Sequence, residues 1–254
     1  HYLRRNNKKG SLRNIVAHYD LGNDLFENFL DETKMYSCAI FENNNSSLEE
    51  ASLNKIKRIC QKLELSSRDH VLEIGTGWGG FAIYAAKNYE CKITTTTISP
   101  KQYEYTLKKV RDLGLDNKIT VLKKDYRELT GQFDKLVSIE MIEAVGHQYY
   151  QEFFRKCNSL LIPEGRMLLQ SIIINDFLYD EAKQLSDFIK TYIFPGSCIP
   201  SISKICESTA KATDMRLFHL EDLTPHYAKT LNHWRHQFMK NKQKIRSLGF
   251  SNEF

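Results

Sequence analysis

His70-Val71-Leu72-Glu73-Ile74 runs directly into Gly75-Thr76-Gly77-Trp78-Gly79-Gly80. The first five residues read as a short buried strand, and the glycines that follow read as a tight turn opening a helix over 79–87. Glycines at 75, 77 and 79 let the backbone turn sharply and approach a ligand closely, with helix-terminal N–H groups facing it. Working outward, Lys92–Thr97, Ile119–Leu122, Lys135–Ile139 and the apolar run Met167–Ile174 read as further strands. Helical spacing fills the intervals. Ser47-x-x-Glu50 starts one helix as a capping box, with Leu53, Ile56, Ile59 and Leu63 inward. Ser99-Pro100 starts another, with Gln102 completing a second box. Tyr149–Leu161 is a third, stopped by Pro163-Glu164-Gly165. Strands alternating with helices predict a parallel, doubly wound α/β sheet. Residues 175–213 read as a mainly helical insertion, Arg216–Leu220 as a late strand, and His226–Ser247 as a long amphipathic helix.

The composition bounds the function. The 254 residues are 41% hydrophobic and 26% charged, an ordinary globular balance. No apolar run reaches the ~18–20 residues that a spanning helix requires, and no signal peptide opens the chain. Disorder, secretion and membrane spanning are therefore disfavoured. The first residue is His1 rather than Met, which reads as an N-terminus cut or processed. Six cysteines stand without a C-x-x-C pair, so reduced thiols are expected and no metal site. The net charge is +5, with two basic stretches. One comprises Arg4, Arg5, Lys8, Lys9 and Arg13; the other runs from Lys229 to Arg246 without an acid. Such segments suit a polyanion, either nucleic acid or anionic lipid.

The order G-x-G-x-G-G at 75–80 departs from the dinucleotide fingerprint, and the absence of a Walker lysine excludes a phosphate-binding P-loop. E-x-G-x-G-x-G at 73–79 instead resembles motif I of the seven-strand S-adenosylmethionine methyltransferases. At the end of the fourth strand stands Ser138-Ile139-Glu140-Met141-Ile142-Glu143. It lacks the N/D-P-P-Y/F motif of nucleic-acid amino methylases, which turns the basic stretches toward lipid and away from nucleic acid. The segments His18–Phe26 (HYDLGNDLF) and Met35–Ala39 (MYSCA) are similar to the start of the cyclopropane fatty acid and mycolic acid cyclopropane synthases. So are Thr97–Gln102 (TISPKQ), Met141–Gly146 (MIEAVG), Tyr192–Pro195 (YIFP), Ile199–Ser201 (IPS) and Pro225–Trp234 (PHYAKTLNHW). The resemblance covers residues 14–250.

That resemblance implies a Rossmann-like seven-strand methyltransferase sheet with a helical cap over a lipid pocket. It implies a basic arm and active-site cover over 1–48 and the methyltransferase domain over 49–254, with the C-terminal end, which carries a later family cysteine, missing. The activity it implies is transfer of a methylene from S-adenosyl-L-methionine to a cis double bond in unsaturated acyl phospholipid. The setting would be cytoplasmic, at the inner, anionic membrane face, and a homodimer is admitted. Carried over by motif, Tyr36, Ser37, Glu73, Gly75, Gly77, Gly79, Thr97, Ile98 and Gln102 would hold the cofactor, with Asp125-Tyr126-Arg127 near its adenine. A bicarbonate ion would remove the proton, held by the backbone at Cys38, by Glu143 and Tyr227, and by the carbonyl of Ile172. The family histidine falls at Gln170, which can donate a hydrogen bond to an anion but cannot carry a proton.

Rival readings are a fatty-acyl C-methyltransferase, a small-molecule N-methyltransferase of the same family, and a lipid-binding relic. On the residues alone, Glu143 is a loop acid beside a strand end, and Tyr227 is also explained by packing on an inward helix face with Leu231, Trp234 and Phe238.

Overall fold

The computed structural model describes residues 6–7, 10–11, 14–15 and 22–251. The five bases of the N-terminal stretch, and His18, lie outside them. The core is a five-stranded sheet in the order β3-β2-β1-β4-β5, parallel throughout. The strands are β1 (His70–Ile74), β2 (Lys92–Thr97), β3 (Ile119–Lys123), β4 (Phe133–Ile139) and β5 (Leu161–Gln170). Because the order reverses between β1 and β4, their carboxyl ends open the crevice in which doubly wound sheets bind ligands.

Besides a single helical turn at Asn23–Phe26, the described α-helices are α1 (Leu48–Lys62), α2 (Gly80–Asn88), α3 (Pro100–Asp112), α4 (Tyr150–Leu160), α5 (Asp176–Ala182), α6 (Ile202–Ala212), α7 (Thr224–Lys240) and α8 (Lys242–Ser247). α1 begins with the expected capping box, Ser47 and Glu50 bonding each other's backbone N–H. At α3 the cap forms but the box does not. Ser99 caps the Gln102 N–H at 3.3 Å, whereas the Gln102 side chain accepts from the Thr97 hydroxyl at 2.8 Å. Thr97 also takes the Ser99 N–H at 3.1 Å, so it occupies the place that Gln102 would have filled.

Three expectations are corrected. The described residues hold five strands rather than seven, and Arg216–Leu220 forms no strand. β5 starts earlier than expected and ends at Gln170, so Pro163-Glu164-Gly165 lies inside it. An edge position and an irregular register opposite Phe133–Lys135 accommodate the proline, which has no N–H to give a ladder. Ser171–Ile174 leaves the sheet because its N–H groups go elsewhere: Ile172 to Glu143, and Ile174 to the Pro200 carbonyl. The C-terminal helix breaks at Asn241, and its inward positions are Tyr227, Thr230, Trp234 and Phe238, which packs on Phe29, with Leu231 exposed.

One apolar cluster, with Ile56, Val71, Phe81 and Ile93, packs α1 and α2 on one sheet face. Another, with Leu72, Leu136, Phe153 and Leu160, packs α4 on the other. All six cysteines are free thiols, five of them buried. No helix among the described residues is long and apolar enough to cross a membrane.

Candidate active site

The glycine turn adopts the backbone that its residues permit. Gly75, Gly77 and Gly79 have φ of 103°, 53° and 83°. The N–H groups of Gly75 and Thr76 both donate to the Thr96 carbonyl at 3.1 Å, which pins the turn to the end of β2. Beneath it, Glu73 is buried and accepts a hydrogen bond from the Thr95 hydroxyl at 2.6 Å. Burial pushes its carboxyl up to about 8, so it is neutral at physiological pH. A carboxyl whose native pKa exceeds its unfolded value holds a proton that the unfolded chain releases. Its contribution to stability is complete below the ordinary carboxylate range and is lost as pH rises toward 8. Glu73→Gln is therefore expected to flatten the fall in melting temperature between pH 5 and 9, measured by calorimetry at constant salt.

Glu140 closes β4 in a left-handed backbone, φ 46°, which turns its side chain into the crevice. Protein surrounds it, yet it keeps some accessible surface, as a group lining a cleft does. Its Oε1 accepts from the Cys38 N–H and from Gln170 Nε2, both at 2.9 Å, and the Tyr227 hydroxyl faces its Oε2 at 3.4 Å. Gln170 Nε2 also reaches the Cys38 carbonyl at 3.1 Å. Four segments distant in sequence thus meet on one carboxylate. Burial pushes the Glu140 carboxyl up; nearby Lys55 and the three donors pull it down.

Lys55 is fully buried on α1 and donates to the Ser37 hydroxyl at 2.5 Å. Burial lowers its ammonium to about 8, against the pull of Glu140, Cys38 and Asp31. Glu143 lies on the next turn. Its Oε1 accepts the Ile172 N–H at 2.5 Å and lies 3.0 Å from the Ser171 hydroxyl, while its buried Oε2 has no hydrogen-bond partner. Burial, then the charge of Glu140, pushes Glu143 up to about 8. Burial pushes both neighbouring carboxyls above the ordinary range; Lys55 and the three donors pull Glu140 back toward its charged form, and the Ile172 N–H and Ser171 do the same for Glu143.

Of the residues expected at the anion site, Cys38, Glu143, Gln170, Ile172 and Tyr227 do converge. Ile172 contributes its N–H, since its carbonyl accepts from the Ser171 hydroxyl at 2.7 Å. The Cys38 thiol is pushed up to about 12 by burial, which keeps it protonated, and the residue meets Glu140 and Gln170 through its backbone. The donors assigned to a bicarbonate are engaged by Glu140, so the site as folded does not fit that ion, and no step is routed through it.

Aromatic rings cluster around the segment that carries Cys38. Tyr36 lies 5.1 Å from Trp234 and 6.1 Å from Phe194, and Phe26 lies 4.8 Å from Trp78 of the glycine turn. Asp125-Tyr126-Arg127 follows on the carboxyl end of β3. Arg127 pairs with Asp125 at 2.6 Å and donates to the Asn6 carbonyl at 3.1 Å and the Ser11 hydroxyl at 3.2 Å, and Tyr126 packs on Phe153. No cluster of metal-ligating side chains occurs among the described residues.

The residue-by-residue reading missed Glu140 as the hub, and Lys55 altogether. A signal for Lys55 was present. Ala51, Ser52, Lys55, Ile56, Ile59 and Cys60 form the buried stripe of α1, and a lysine in such a stripe implies a buried anion.

A parallel sheet with a glycine turn after β1 and a carboxyl pair after β4 defines the methyltransferase class of α/β protein. The chain belongs to the mycolic acid cyclopropane synthetase family, whose model matches residues 6–254. It is 37% identical over 249 residues to tuberculostearic acid methyltransferase UfaA1 of Mycobacterium tuberculosis, covering 95% of this chain and 58% of that protein. It is 39% identical over 222 residues to the cyclopropane-fatty-acyl-phospholipid synthase of Escherichia coli K12, covering 87% and 55% respectively. The chain thus spans little more than half the length of these relatives. Among solved structures, the cyclopropane synthase MmaA2 of Mycobacterium tuberculosis superposes with a TM-score of 0.86 at 30% identity, over 93% of this chain and 86% of that one. The mycolic acid cyclopropane synthase CmaA1 complexed with SAH and CTAB gives the same TM-score and coverage at 33% identity.

Proposed function

We propose that this chain is the catalytic part of an S-adenosylmethionine-dependent enzyme that transfers a methylene to the cis double bond of unsaturated acyl chains in membrane phospholipid. The observation that carries the reading is the Glu140 carboxyl at the end of β4, bonded to the Cys38 N–H of the segment whose Tyr36 ring packs with Phe194 and Trp234. When bound, S-adenosylmethionine supplies an electrophilic methyl. The turn at Gly75–Gly79 and the side chains of Tyr36, Ser37, Thr97 and Gln102 orient it, with Ile98 alongside. An isolated alkene is a weak nucleophile, so the residues must hold it in line and exclude water. The positive charge that develops on the acyl chain faces aromatic rings, each worth up to ~2 kcal/mol when desolvated.

The exposed apolar residues Phe177, Leu178, Leu185, Phe188, Ile189 and Tyr192 support contact with a lipid surface, and the basic stretch Lys229–Arg246 supports an anionic one, at the cytoplasmic face. A second reading, fatty-acyl C-methylation, is favoured by similarity over 95% of the chain to a relative named as a tuberculostearic acid methyltransferase.

Mass spectrometry separates the two. The full-length protein is incubated with S-adenosylmethionine and vesicles of cis-unsaturated phospholipid. A gain of one CH2, about 14 Da, that resists mild hydrogenation marks a cyclopropane. A gain that still takes up hydrogen marks C-methylation, and no gain overturns both.

A further inference from the structure

We propose that Glu140 is the proton acceptor of this enzyme, its carboxylate standing where the family resemblance expects a bicarbonate ion. The inference rests on the functional reading above and specifies its proton-transfer step.

The geometry carries it. Three of the five groups expected to hold the ion are the backbone at 38 and the side chains at 170 and 227; the other two, Glu143 and Ile172, are bonded to each other. The first three are aimed at one carboxylate: Cys38 N–H and Gln170 Nε2 at 2.9 Å on Oε1, and the Tyr227 hydroxyl at 3.4 Å from Oε2. A carboxylate and a bicarbonate present the same planar pair of oxygens, and two anions cannot share these donors without strong repulsion. Tethering the anion to β4 also removes the entropy of capturing it from solution. Gln170 fits this arrangement. A histidine can pass a proton to and from a bound ion, whereas an amide N–H only donates, which suits an acceptor that arrives anionic. Lys55, fully buried nearby, favours the charged form of the carboxyl.

The two oxygens divide the work. Oε1 is committed to two short hydrogen bonds, and Oε2 has only the long contact, so Oε2 is the atom that receives the proton. Glu143 is excluded from that role because its Oε1 takes the Ile172 N–H and its Oε2 is fully buried.

The balance is complete. As the methyl carbon parts from sulfur it joins one alkene carbon, which leaves positive charge on the other. Glu140 Oε2 takes a proton from that methyl group, and the freed C–H pair closes the third ring bond. The products are a neutral thioether, a cyclopropane and a protonated Glu140, which returns its proton to water. No oxidant or reductant is required.

The test uses the full-length protein and two independent readouts. In buffer stripped of carbon dioxide, wild-type turnover of cis-unsaturated phospholipid vesicles is expected to be unchanged by added bicarbonate. Glu140→Gln should lose ~10²–10⁴-fold in turnover, the usual contribution of a general base, while its affinity for S-adenosylmethionine is retained. Glu140→Ala should regain part of the loss when formate or bicarbonate is added, in a saturable way. The second readout needs no turnover: 13C-bicarbonate followed by NMR should show saturable binding to Glu140→Ala and none to the wild type. A wild type that needs bicarbonate or binds it saturably overturns the proposal, as does a fully active Glu140→Gln. If the variants fail to fold, the wild-type arms still decide. Failure of the functional reading looks different: unsaturated lipid is never consumed under any condition. The proton-acceptor role then falls with it, and the NMR arm alone decides whether Glu140 fills the anion site.

Discussion

Lys55→Met should destabilise the protein by about 1–3 kcal/mol at neutral pH, the range for leaving buried polar groups without their partner. For a chain of this size that lowers the melting temperature by roughly 2–12 °C. Methionine matches the lysine stem in volume, so little packing is lost. What is lost is the compensating charge beside Glu140 and the donor to the Ser37 hydroxyl. The pH dependence identifies the cause. Without the ammonium, the Glu140 pKa rises further above its unfolded value. The variant's stability is then greatest in acid, where Glu140 is protonated, and falls as pH rises from the ordinary carboxylate range. The deficit relative to wild type should accordingly shrink toward pH 5. Turnover should fall as well, and its pH profile should move to higher pH, because the acceptor is charged only there. Denaturant melts from pH 5 to 8 check the first effect, and kcat against pH checks the second. A deficit independent of pH would mean that Lys55 matters only for packing.

Gly80→Ala is expected to reduce turnover by ~10²-fold, although residue 80 is no catalytic group. A Cβ there would stand 2.7 Å from the Thr33 carbonyl oxygen and 2.8 Å from the Met35 sulfur. The methionine can swing aside; the carbonyl cannot. The turn that bears it is fastened to α1, since Asp31 receives the Thr33 N–H at 2.8 Å and the Ser52 hydroxyl at 2.7 Å. The strain must therefore pass forward along the chain to Tyr36, Ser37 and Cys38, which form one wall of the site. A shift of about 1 Å in a positioning element is enough for a loss of this size, with ~1–3 kcal/mol of stability lost to overpacking. Gly114→Ala is the control. It has φ of 65° and no atom within 4 Å of its Cβ. It should lower stability by ~1–2 kcal/mol and leave kcat unchanged.

These cases show what the linear sequence discloses. β1 and its glycine turn are legible because a buried apolar run ending in closely spaced glycines has few other uses. The helix starts at Ser47 and Ser99 are legible because caps are local chemistry. Local rules failed at Pro163, where an edge position tolerates a residue that elsewhere ends an element. They failed again at Ser171–Ile174, whose apolar composition suits a strand but whose N–H groups are claimed by Glu143 and Pro200. Cys38, Glu143, Gln170 and Tyr227 were found through family motifs. The role of Glu140 was not, because it exists only once residues 38, 55, 170 and 227 are brought together, and no local pattern records contacts between residues so far apart. The departure at Gln170 is the one sign in the sequence that bears on the proposed proton acceptor.

The short path from Met35 to Ala39 has a consequence for protein engineering. Its N–H groups run to Glu140 at the end of β4 and to the Thr230 hydroxyl on α7 at 3.1 Å. Arg127, meanwhile, reaches back across the sheet edge to Asn6 and Ser11. The smallest piece that folds around the sheet and the smallest piece that works have different borders. A chimera that swaps only the sheet and its helices between relatives would inherit a socket from one parent and half its plug from the other. Recombination points belong upstream of residue 6 rather than at the visible start of α1.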